Sequence, residues 1–280
     1  MIPLEVHNLC KTYPSFQLHD LSFTLAAGKI TGFVGRNGAG KSTTLKSLFH
    51  MVHPESGEIR FFGQDFAAHE LEIKRRVGFV TGGVDFYPRS RLRAITRVTR
   101  TFYPNWDEAG YERCLARFGL DERKTPAQLS TGMQIKYALT LALSHRAELL
   151  ILDEPTSGLD PVSRDELLDL FLSLCGEGVT ILFSTHIISD LDKCADRILY
   201  IQNGSLLADS DLPAFVGSYR LADDTASDPL PESVRRQALG TRRTKTGRSL
   251  LLPAAAAERI PSRPAGLEEI MVHLERREDT

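Results

Sequence analysis

An α/β fold with a mainly parallel sheet is the class that three observations predict. A glycine-rich run, Gly35-Arg36-Asn37-Gly38-Ala39-Gly40-Lys41-Ser42, separates an apolar strand-like segment from a helix-like one. A second apolar run, Leu149-Leu150-Ile151-Leu152, ends in Asp153-Glu154, as a strand buried on both faces does. From residue 148 to 208, strand-like and helix-like stretches alternate, the order in which helices come to cover both faces of a sheet.

In chain order, residues 4–6 and 17–25 alternate apolar and polar side chains, which suits a small antiparallel sheet. Residues 30–34 read as a buried strand and 42–52 as a helix. The turn Pro54-Glu55-Ser56-Gly57 leads to a strand at 58–62, and 77–80 is a further strand. From about 84 to 147 the pattern is helical, over 91–102, 107–118 and 132–143, and predicts an inserted helical lobe. Strands at 148–152, 179–183 and 198–202 then alternate with helices at 163–174 and 187–194. Asn203-Gly204 makes a tight turn into a last strand at 205–208.

The character changes after residue 219. Residues 220–249 are poor in large apolar side chains and hold Arg235, Arg236, Arg242, Arg243, Lys245 and Arg248. Such a cluster reads as a solvated or disordered face. Residues 250–252 suit a short strand, and Leu267, Ile270, Met271 and Leu274 share one face of a terminal helix. Two regions are therefore expected: a domain over 1–220, and a partly flexible extension over 221–280 with a helix at its end.

Composition narrows the function. A chain of 280 residues, 42% hydrophobic, can bury a large core. Its net charge of -2 supplies no global field for nucleic acid or an anionic membrane. Cys10, Cys114, Cys175 and Cys194 form no CxxC pair, which argues against a zinc site or disulfide scaffold and fits a reducing cytoplasm. The first residues lack a secretory pattern, and no apolar run approaches the roughly 18–20 residues that span a bilayer. Any membrane role is expected to be borrowed from another polypeptide.

The chemistry begins at the glycine-rich run, whose spacing is G-x-x-x-x-G-K-[ST]. Such a loop folds its backbone N–H groups around phosphate oxygens, and the helix that starts through Thr43 adds its positive end. Lys41 is expected to reach the β- and γ-phosphates of a nucleotide, and the Ser42 hydroxyl to bind Mg²⁺. Asp153 emerges at its strand end beside that loop, where its carboxylate can hold Mg²⁺ through water. Glu154 is then placed to polarise an attacking water.

Three more segments follow in a telling order: Leu129-Ser130-Thr131-Gly132-Met133, Ser157-Gly158-Leu159-Asp160 and Ser184-Thr185-His186. Together with the phosphate loop, the set resembles the ATP-binding subunits of ABC transporters over roughly residues 4–220. It is most similar to bacterial members whose ATPase and membrane subunits are separate chains, many of them exporters. Phe102-Tyr103-Pro104-Asn105-Trp106-Asp107 resembles a small bacterial subset of these. The resemblance implies a P-loop NTPase fold with a small antiparallel β subdomain and an inserted helical lobe.

It also implies roles. Leu129 to Met133 matches the family's LSGGQ segment, with Thr131 and Met133 as departures. Ser130 and the Gly132 backbone would contact the γ-phosphate bound by the opposite subunit of a dimer. His186 matches the switch histidine, Asp160 the loop that links the two sites, and Tyr13 the aromatic residue that stacks on adenine. The family usually places a magnesium-touching glutamine where this chain has Thr81-Gly82-Gly83, with Gly82 nearest the position. Implied partners are a transmembrane permease and a second ATPase, either a copy of this chain or a related one. The implied location is peripheral, at the inner face of the cell membrane, and no nucleic acid is expected. A soluble ABC machine acting on nucleic acid or ribosomes is the alternative, kept by the basic tail. Arg93, Arg97 and Arg100 share a helix face opposite Leu92, Ile95 and Phe102. They read as a solvated face, with an acidic segment of the permease as the other possible neighbour.

Overall fold

In the computed structural model, the opening alternation forms a hairpin of β1 (Leu4–Tyr13) and β2 (Phe16–Leu25). Residues 1–81, 87–258 and 260–275 are described. β1 runs further than its apolar pattern suggests because register shifts follow Val6 and Leu9, with Asn8 at φ 49°. Such bulges break the period of two without ending the strand. β4 (Ser56–Phe61) and β5 (Gln64–Asp65) complete an antiparallel sheet in the order β2-β1-β4-β5.

The second sheet is mainly parallel. It comprises β3 (Ile30–Val34), β6 (Val77–Thr81), β7 (Leu149–Asp153), β8 (Thr180–Thr185), β9 (Arg197–Gln202) and β10 (Ser205–Asp211). Their order is β10-β9-β3-β8-β7-β6, and β3, β6, β7, β8 and β9 pair in parallel. Every residue of β3, β7 and β8 is buried, which is why these segments read as unbroken apolar runs. Side chains of a strand alternate between faces. Leu182 joins the core with Phe33, Leu45, Phe49, Phe61 and Phe66. Its neighbour Phe183 meets Phe171 of α6 (Pro161–Gly176) at 5.7 Å between ring centroids. Both faces of the sheet are thus covered, one by α6, the other by α1 (Lys41–Leu48), α2 (Phe66–Lys74) and the antiparallel sheet. α7 (Ile188–Cys194) links β8 to β9.

Three helices form the expected lobe: α3 (Leu92–Arg100), α4 (Glu108–Phe118) and α5 (Thr131–Ser144). Leu92, Ile95, Tyr111, Leu120, Leu129, Tyr137 and Leu141 make its core. Inside that core runs a chain of hydroxyls. Thr96 Oγ1 lies 2.9 Å from both Tyr111 and Tyr137 hydroxyls, Tyr137 donates to Leu92 O, and Tyr111 donates to Glu122. Burial raises both phenols, Tyr137 to about 12. Phe102 does not join this core. α3 ends at Arg100, and the Phe102 ring is 63% exposed, which corrects its expected place beside Leu92 and Ile95.

The chain divides into two compact units, Met1–Asp209 and Ser210–Thr280. The second begins ahead of the 220/221 division suggested by composition. It contains α8 (Leu212–Gly217), β11 (Tyr219–Thr225), α9 (Glu232–Arg235), β12 (Gly240–Arg243), β13 (Gly247–Pro253), β14 (Arg263–Pro264) and α10 (Leu267–Glu275). Its strands make an antiparallel sheet in the order β12-β13-β11-β14. Ala222, Val234, Leu250, Leu252 and Ala257 form its small core. Arg242, Arg243, Lys245 and Arg248 are exposed on the β12–β13 hairpin, while Arg235 pairs with Asp224 at 2.9 Å. Among the described residues, no helix is long and apolar enough to cross a membrane.

Candidate functional site

Parallel pairing brings the carboxyl ends of β3, β7 and β8 to one edge of the sheet. Val34 lies opposite Thr185, and Leu152 opposite Phe183. The segments that follow, Gly35 to Gly40, Asp153-Glu154 and Thr185-His186, therefore converge, as ligand-binding loops do in open α/β sheets. A cavity of about 560 Å³ opens there, lined by Phe16, Arg36, Asn37, Gly38, Gly40, Lys41, Ser42, Thr43, Glu154, Ser157 and His186.

The loop can take only glycine at its tightest points. A Cβ at Gly35 would meet Ile201 O at 2.3 Å. Gly40 has φ +115°, a region L side chains rarely adopt, and a Cβ there would meet Leu18 and Phe16 within 2.7 Å. Ala39 is buried, and its carbonyl accepts from Gly204 N–H at 3.1 Å, which ties the loop to the β9–β10 turn.

Lys41 is only 4% exposed. Its ammonium donates to Gly35 O at 2.7 Å and Arg36 O at 3.4 Å, and pairs with Glu154 Oε1 at 3.3 Å. On the other side, Glu154 Oε2 lies 2.7 Å from His186 Nδ1. One carboxylate thus joins the loop lysine to the strand-end histidine. Ser42 Oγ donates to Asp153 Oδ1 at 3.1 Å, and Asp153 is 8% exposed. Ser184 Oγ donates to the same Oδ1 at 2.7 Å. Deeper in, Asp190 Oδ2 accepts from Thr156 at 2.6 Å and Thr185 at 3.3 Å, binding the two acidic and histidine loops together; burial raises its carboxyl.

Other expected residues lie off this cavity. Ser130 is exposed and caps α5, accepting from Met133 N–H at 3.3 Å. Asp160 is exposed and caps α6, accepting from Val162 and Ser163 N–H at 3.0 and 3.1 Å. Bonds from Ser163 and Val162 hold its carboxyl below the usual range. Gly132 sits next to both, since a Cβ there would lie 3.5 Å from Leu159 and 3.8 Å from Ser163. Tyr13 is 38% exposed, with the Lys11 ammonium 5.6 Å from its ring centroid. Its cross-strand partner Phe16 lines the cavity instead. Gly82 lies outside the described residues.

Phe16 is the cavity residue that motif reading missed, while Ser157 and Ser184 stand in segments the sequence singles out but were given no role there. Phe16 could have been found as the aromatic facing Tyr13 across a Pro-Ser turn. Arg93 and Arg97 are exposed on α3, and Arg100 pairs with Glu108 at 3.3 Å. A larger cleft of about 760 Å³ opens at the amino ends of the strands, beside Glu148, Val179 and Thr180. Lys41, Glu154 and His186 all lie at the opposite strand ends, so volume does not mark the chemistry here.

The chain is similar to known proteins over much of its length. The family model described as ABC transporter matches residues 18–157. The bacitracin transport ATP-binding protein BcrA of Bacillus licheniformis is 36% identical over 208 residues, covering 73% of this chain and 68% of that protein. The Nod factor export ATP-binding protein I of Burkholderia lata is 32% identical over 222 residues, covering 77% of this chain and 73% of its own. A solved ATP-binding subunit of an ABC transporter superposes with a TM-score of 0.69 at 30% identity, over 76% of this chain and 91% of that one.

Proposed function

The chain belongs to the ABC transporter family, and we propose that Glu154 is the base through which it hydrolyses ATP. The observation that carries this is the Glu154 carboxylate itself, 3.3 Å from Lys41 and 2.7 Å from His186 at the phosphate-loop cavity. A triphosphate entering the loop competes with Glu154 for the Lys41 ammonium. The carboxylate so released takes a proton from water as its oxygen bonds to the γ-phosphorus. The bond to the ADP oxygen breaks, and ADP leaves with the electron pair. His186 holds Glu154 in line by its bond to Oε2, and the loop N–H groups from Arg36 to Thr43 cradle the phosphates.

Ser42 and Asp153 fit Mg²⁺. They offer hard oxygen donors within 3.1 Å of each other beside the phosphate loop. When bound, the ion neutralises phosphate charge.

Two copies of the chain, we infer, close around ATP. Ser130, Gly132 and Asp160 cluster on one surface away from their own cavity, which suits service to a facing copy. Tyr13 and Phe16 form the aromatic pair for adenine. The motion drives a separate membrane permease, which holds the ATPase at the inner face of the membrane. The relative named for Nod factor export supports export as the direction.

Glu154→Gln tests the reading. It is expected to lower kcat by at least about a hundredfold while nucleotide affinity stays within about threefold. Phosphate release at the parental rate would overturn it.

A further inference from the structure

Ser184 belongs to neither the phosphate loop nor the acidic pair, yet it touches both acids. It is fully buried near the end of β8, two residues before His186. Its Oγ donates to Asp153 Oδ1 at 2.7 Å and accepts from Glu154 N–H at 2.8 Å. The β7–β8 ladder pairs as far as Leu152 and Phe183. Beyond it, the Ser184 hydroxyl takes the place of a backbone partner for Glu154.

That bond matters because of the Glu154 backbone. Its φ of +51° lies in the left-handed region, which a non-glycine residue holds only when its surroundings demand it. This turn aims the carboxylate at Lys41 and His186, whereas an extended residue would continue the strand. Asp153 is fixed from the same atom. Two hydroxyls, those of Ser42 and Ser184, meet its Oδ1, but the Ser42 hydroxyl is the one that metal binding would recruit. Ser184 then remains as the hydroxyl that holds the carboxylate.

We propose that Ser184 is a positioning residue for hydrolysis, one hydroxyl that orients the magnesium-binding carboxylate of Asp153 and the backbone that presents Glu154. This rests on the roles given above to Asp153 and Glu154. Groups that orient a metal ligand commonly change metal affinity or activity by about 10–100-fold when removed.

The experiment compares Ser184→Ala and Ser184→Thr with the parent, using fluorescent MANT-ATP binding and phosphate release across a Mg²⁺ titration. For Ser184→Ala, MANT-ATP affinity in EDTA is expected to match the parent. Its Mg²⁺ half-saturation point in the binding assay rises about tenfold, and kcat falls about tenfold or more with KM for ATP within about threefold. Ser184→Thr, which keeps the hydroxyl, recovers most of both. Should Ser184→Ala fail to fold, Ser184→Cys, of nearly the same volume and a weak hydrogen-bond donor, carries the same expectation. An unchanged Mg²⁺ half-saturation overturns the proposal, whether kcat falls or not, because a merely structural serine would leave it unmoved. The underlying reading fails separately, through an active Glu154→Gln.

Discussion

Phe16 and Tyr13 sit opposite each other where β1 turns into β2, and only Phe16 lines the cavity. Stacking of a base on an aromatic ring contributes about 1–3 kcal/mol. Phe16→Ala and Tyr13→Ala are each expected to raise KM for ATP about tenfold, with kcat within about twofold; steady-state kinetics check this, and a KM moved by neither contradicts the aromatic pair. The phosphate loop, Asp153, Glu154 and His186 were legible because each is a short run of consecutive residues. Ser184 was visible within Ser184-Thr185-His186 but without a role of its own, since that role depends on strand register. His145 is another such case. It stacks on Tyr103 at 4.0 Å, with Nδ1 3.2 Å from Arg75 O, and burial pushes its imidazole down to about 4. The unfolded chain binds this proton near pH 6.5 and the folded one only near 4. Its stabilising contribution is therefore complete above pH 6.5 and lost as pH falls toward 4, by up to about 3 kcal/mol. Denaturant melts from pH 7 to 4 should show this slope, and His145→Gln should flatten it.

At the scale of elements, the hydroxyl chain in the lobe gives α3, α4 and α5 one fixed arrangement. Tyr137→Phe removes the donor to Leu92 O and a partner of Thr96. Leu92 O keeps its bond within α3, so the cost is that of the lost side-chain hydrogen bonds, about 0.5–1.5 kcal/mol. Urea unfolding should show a loss in that range, and full stability would mean the chain contributes nothing. The lobe helices were readable from sequence to within a residue or two because each keeps a helical apolar face. α2 was not, since His69 breaks its helical geometry at φ -128°. The sheet of the second unit was hidden for another reason. β12 is a short edge strand whose exposed side chains are arginines, a composition that protects an edge and looks like a solvated loop.

At the scale of the whole molecule, the first unit was legible as a parallel sheet with an antiparallel companion and an inserted lobe, while the second was read only through the strand at 250–252 and the terminal helix. What one copy does not bring together is equally informative. Ser130 and Asp160 cap neighbouring helices at the surface, and the cavity of their own chain is lined without them. The proposed site completed by a facing copy would give both facts one cause, with ATP favouring the paired state by binding it better. Sedimentation equilibrium of Glu154→Gln with Mg²⁺ and ATP tests this most directly. Twice the monomer mass, returning to the monomer mass when ATP is withheld, is the expected result; a species that binds ATP yet stays at the monomer mass would contradict it.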